Sequence, residues 1–98
     1  MKGTEKQIKW AQDIKDKFFR TIDLNISFYQ EQLDKHPEVI EYQDDIDIFV
    51  NIKEDMEKAL SHVDDAAKII EMREMLSADR ILFVFNEIKY KKHPELRG

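Results

Sequence analysis

Ninety-eight residues make one domain with one core; a chain of this size buries roughly 60–65% of its unfolded surface, which leaves little room for a deep cleft. The absence of cysteine excludes disulfides, thiol nucleophiles and cysteine-ligated metal centres, and an apolar content of 42% excludes a disordered chain. The net charge of −5 is uneven: residues 1–35 carry +1, residues 66–98 carry +2, and residues 38–65 carry −8, from ten Asp/Glu against two Lys.

Only two Gly and two Pro interrupt the chain, which favours long helices over sheets and their turns. Thr4 with Gln7 has the spacing of a capping box, in which a hydroxyl and an amide satisfy two free N–H groups of a first turn. From there no breaker occurs before Pro37. Ile8, Ala11, Ile14, Phe18, Phe19, Ile22, Ile26, Tyr29 and Leu33 fall within about 140° at 100° per residue, one wide face of a helix over roughly 5–35. His36-Pro37 ends it, since the residue before proline is pushed out of the α region.

Pro37 then suits the first residue of a second helix, roughly 38–60, with Val39, Tyr42, Ile46, Phe49, Val50, Met56 and Leu60 as its buried stripe. Ser61, with Asp64 three residues on, suits the cap of a third helix over 62–76, although residues 38–76 also read as one bent helix. Ser77 suits the cap of a last helix over 78–92, burying Ile81, Leu82, Val84, Phe85 and Ile88. The Ile81–Phe85 run would also suit a buried strand, but it lacks flanking turn signals and a partner strand. Lys35-His36-Pro37-Glu38-Val39 recurs as Lys92-His93-Pro94-Glu95-Leu96, which reads as one stop signal used at two helix ends. The expected fold is all-α: a small antiparallel bundle of three to four helices with a long N-terminal helix. The N-terminal residues have no apolar h-region, and Ile81–Phe85 is far shorter than the ~20 apolar residues that cross a bilayer, so the chain reads as cytoplasmic and membrane-free.

No residue constellation points to catalysis. His36, His62 and His93 make no helical pair of ligands, and His62 with Asp65 is a bare surface pairing. No Gly-rich loop is present to cradle phosphate, and Ser27, Ser61 and Ser77 lack a neighbouring base. The reading is a non-enzyme without metal or cofactor.

Two surfaces stand out instead. Asp44, Asp47, Asn51 and Glu54 follow at helical spacing along one side of the second helix, flanked by Glu41 and Asp55, with Ile40 and Ile48 as apolar anchors beside them. The bland reading is a solvated face; the sharper one is a docking surface for a protein with a basic surface. Trp10, Leu24 and Phe28 project beside the core face of the first helix, and Phe83 and Tyr90 lie seven apart on the last. Either other helices cover them, or they form a homodimer or partner patch.

Thr4-Glu5-Lys6-Gln7-Ile8-Lys9-Trp10-Ala11-Gln12-Asp13-Ile14 resembles the opening of uncharacterised small helical proteins of bacterial phages and mobile elements, which share a T-E-K-Q-I-x-W-A-x-x-I segment. Ser77-Ala78 with Phe83-Val84 is loosely similar to a later segment of those proteins, with Phe85 standing where they have Asp. The resemblance covers about residues 4–15. It implies a phage or mobile-element origin, hence residence in a host cytoplasm, and brings no catalytic residues with it. The leading expectation is an inhibitor, anti-CRISPR-like or otherwise counter-defence, that binds a basic nucleic-acid-handling host protein through the acidic helix. The alternative is an assembly protein acting through homo-oligomerisation. A weaker third is direct nucleic-acid binding by Lys6, Lys9, Lys17, Arg20, Lys89, Lys91 and Lys92, which the acidic balance disfavours.

Overall fold

Thr4 opens the first helix as its spacing predicts. Its hydroxyl accepts the Gln7 N–H at 3.1 Å, and the Gln7 side chain accepts the Thr4 N–H at 3.0 Å. The structure is a computed structural model and describes residues 1–97, with side chains through Glu95. Helix α1 spans Glu5–Lys35 and ends at His36, whose N–H still donates to the Gln32 carbonyl. The expected face is the one that packs: Ala11, Phe18 and Ile22 are buried, and the other six residues of the stripe are partly covered.

Helix α2 spans Glu41–Ser61, three residues later than expected. Pro37 does not begin it. The Val39 N–H bonds back to the His36 carbonyl, and this turn delays α-type bonding until Asp44 donates to Ile40. Residues 38–76 are two helices, since α3 covers only Ala66–Glu71. Ser61 does not cap it. Ser61 remains in α2, its hydroxyl donating to the Lys58 carbonyl, and the cap is Asp65, whose carboxylate accepts the Ala67 N–H at 3.0 Å. The reason is non-local: Lys2 donates to the Asp64 carbonyl and accepts from the Ala66 N–H, both at 2.8 Å, which holds the chain before Ala66 extended.

Turns from Met72 lead to Ser77, which caps helix α4 (Ala78–Lys92) by accepting the Arg80 N–H. The Ile81–Phe85 run is therefore helical. A single 3-10 turn, Pro94–Arg97, follows. His36 and His93, the two stops, have nearly the same backbone, φ/ψ of −134/66° and −131/72°.

The helices form a small all-α bundle. α1 and α2 pack antiparallel, which sets Asp23 beside Lys53 at 2.8 Å and Tyr29 on Phe49 with centroids 5.9 Å apart. α4 runs antiparallel to α2, with Phe85 stacked on Phe49 at 4.4 Å. α3 closes the other half of α1. Because α2 lies between α1 and α4, its buried arc is wider than one stripe. Ile48 and Ile52 join Ile46, Phe49 and Leu60 in the interior, while Val50 is only partly covered. On α4 the arc is narrower: Ile81 and Phe85 are buried, Val84 and Ile88 flank them, and Leu82, expected inside, is 47% exposed. No helix among the described residues is long and apolar enough to cross a membrane.

Candidate interaction surfaces

The acidic row on α2 forms with one correction. Asp47, Glu54, Asp55 and Glu41 are exposed and make no ion pair among the described residues; Asp47 accepts a bond from the Gln43 amide at 2.9 Å. Asp44 is half covered, its Oδ2 lying 3.3 Å from Nε2 of His93. Ile40, at the N-cap of α2, is 76% exposed. Ile48 is not an anchor on this surface. It is 1% exposed, inside the core, because α4 covers the flank of α2 that a single-stripe reading leaves to solvent. Lys53 is drawn to α1 by Asp23, and that hydrogen bond raises its pKa.

Immediately beside the row lies a residue that sequence reasoning missed. Asp45 is 3% exposed and faces α4, where the Lys89 ammonium lies 3.1 Å from Oδ1 and directs a 3.4 Å hydrogen bond to Oδ2. Oδ1 gains Coulomb attraction but no hydrogen bond. Burial raises the Asp45 pKa; Lys89 opposes the rise, and Glu41 and Asp44 add to it. Burial likewise raises Tyr29, with the Asp45 charge adding and Lys89 opposing. The available signal was angular: Asp45 stands four residues before Phe49, within the buried arc. Carboxylate and ammonium thus join α2 to α4, with the Tyr29 phenol close enough to feel both charges. Lys89 is correspondingly spent on Asp45 and is not a free cation for nucleic acid.

Four of the five apolar residues singled out beside the core are not covered. Trp10, Phe28 and Phe83 are about half exposed and Leu24 is 64% exposed, whereas Tyr90 is partly buried. They are not gathered into one face either. Trp10 lies under the Arg73 guanidinium at 5.8 Å, some 21 Å along α1 from Leu24. Leu24 and Phe28 are one turn apart, the Phe28 ring set edge-on to Tyr29 at 5.2 Å. Phe83 points away from the Ile81/Phe85 side of α4, beneath Arg80 at 5.1 Å.

Two apolar grooves flank Phe18. The larger, about 300 Å³, lies between α1 and the link from α3 to α4. Ile14, Phe18 and Leu76 line it with Lys17, Thr21 and Arg73, and no carboxylate does. The smaller, about 150 Å³, opens between α2 and α4 beside Ile52, Met56 and Arg80. Asp65, paired with His62 in the sequence, is committed to capping α3, and no group of three or more His, Asp or Glu is arranged for a metal among the described residues. The chain matches no protein-family profile, no curated protein and no solved structure.

Proposed function

We propose that this chain is a non-catalytic interaction protein whose acidic α2 face binds a basic, nucleic-acid-handling protein of the host, in the manner of a phage- or mobile-element-encoded inhibitor. The observation that carries this reading is the acidic face of α2, where Asp47 and Glu54 of the row and the flanking Glu41 and Asp55 make no ion pair among the described residues. Carboxylates about one turn apart present a negative field that speeds encounter with a positive surface and competes with phosphates for it. Ile40 supplies an apolar contact at the end of the row. The resemblance of residues 4–15 to phage and mobile-element proteins supports the inhibitor class, anti-CRISPR or other counter-defence, and a cytoplasmic place of action.

The test is capture of the partner from host lysate on the tagged chain, washed at low and high salt. Asp44→Lys with Asp47→Lys should abolish capture of a basic protein while leaving helicity unchanged; undiminished capture by that variant defeats the reading. An assembly role is the second reading. The exposure of Trp10, Leu24, Phe28 and Phe83 favours it, since aromatic side chains are enriched at interfaces.

A further inference from the structure

Ile40 is the most exposed large apolar side chain among the described residues, at 76%. It stands at the corner between α1 and α2, between Glu38 and Glu41, both exposed. The corner is thus an apolar knob flanked by carboxylates. The 300 Å³ groove has the complementary chemistry: an apolar floor of Ile14, Phe18 and Leu76, with Lys17 and Arg73 at its sides and no carboxylate among its lining. Arg73 is held in place there by a 2.9 Å bond from Nη1 to the Ile70 carbonyl and by the Trp10 ring. Neither cation is ion-paired among the described residues.

Knob and groove of one molecule cannot meet. Thr21 marks one end of the groove, Lys35 ends α1, and the rigid helix between them is about 21 Å long, with the corner lying beyond it. We propose that a second copy of this chain seats its Ile40 corner in the groove, with Glu38 and Glu41 set against Lys17 and Arg73, so that the protein associates head to tail. The contact joins two different patches. An open chain of any length therefore keeps one free knob at one end and one free groove at the other, and growth continues unless the geometry closes a ring. The small contact makes the association weak, and its charged flanks make it salt-sensitive. The inference does not rest on the acidic-face reading. The two share Ile40 and Glu41, so a copy seated on the corner excludes a partner from that end of α2.

Sedimentation velocity on the full chain tests this. The wild type should sediment faster as concentration rises at low salt, and the rise should shrink at high salt. Ile40→Asp, at a solvent-facing position, and the pair Lys17→Glu/Arg73→Glu should each stay monomeric alone. Mixed one to one, they should form dimers and nothing larger, because one retains the groove and the other the knob. Should the paired variant lose helicity, Lys17→Glu alone serves in its place. A wild type that is monomeric throughout, a mixture that stays monomeric, or association that survives Ile40→Asp and is lost with Phe28→Asp overturns the proposal. Capture by the Asp44→Lys/Asp47→Lys variant reads the acidic-face proposal separately, since neither substitution touches the knob or the groove.

Discussion

Asp45 on α2 and Lys89 on α4 face each other across 3.1 Å beside a stack of Phe49, Phe85 and Tyr29. A charge pair in such surroundings recovers little net stability when intact, yet breaking it strands a buried charge. Lys89→Met should therefore cost about 3 kcal/mol, the low end for a buried pair because the lysine retains some exposure. Asp45→Leu combined with Lys89→Met should restore most of that loss. Urea denaturation of the three chains checks both, and a double variant no more stable than the single one contradicts the assignment.

The same carboxylate sets a pH response. Asp45 in the folded chain holds its proton more tightly than in the unfolded chain, because burial raises its pKa. Proton binding at this site therefore favours folding. As pH falls through the raised value towards the ordinary aspartate range, the wild type should gain stability relative to Asp45→Asn, and the gain should level off below that range. Denaturation midpoints of the two chains, compared between about pH 7 and about pH 3.5, measure it. Parallel curves would remove Asp45 from the account.

The aromatic stack predicts a sharp contrast between buried and exposed rings. Phe49 and Phe85 are 4.4 Å apart and nearly parallel, whereas Phe28 is half exposed. Phe49→Ala or Phe85→Ala should cost about 3–5 kcal/mol, enough to unfold much of a chain this small. Phe28→Ala should stay within about 1 kcal/mol. Thermal melts followed by circular dichroism separate the cases.

Reassigning the α3 cap has its own signature. Asp65→Ala removes the acceptor of the Ala67 N–H and should cost about 1 kcal/mol, while Ser61→Ala should cost a few tenths. Amide exchange should quicken at Ala67 in the first variant alone.

The features legible in the sequence are those that neighbours along the chain decide. The Thr4/Gln7 box, the stop at His36, the cap at Ser77 and the α1 face all depend on residues within a turn or two of each other, and each formed as expected. The acidic row belongs to the same class, because spacing of three and four along one helix places Asp44, Asp47, Asn51 and Glu54 together. Illegible features depend on distant chain. Lys2 decides where α3 begins by bonding at Asp64 and Ala66. The docking of α4 decides that Ile48 and Asp45 are interior; the spacing of Asp45 from Phe49 puts it on the buried side of α2, but nothing local shows that a second helix widens that side to take in Ile48. Whether the aromatics of α1 would be covered was equally a question about other helices.

The repeated Lys-His-Pro-Glu stop bears on how such a chain can diverge. At both ends the instruction is written in four consecutive residues and produces nearly the same backbone, so it operates without help from the surrounding packing. A segment inserted ahead of it lengthens a helix without redesigning the terminus. Among the described residues the second copy also makes a tertiary contact that the first lacks, His93 against Asp44. Identical punctuation thus closes one helix in solvent and couples the other to a neighbour. A change at Asp44 would register at the C-terminal end of α4, and an equivalent change beside His36 would stay local.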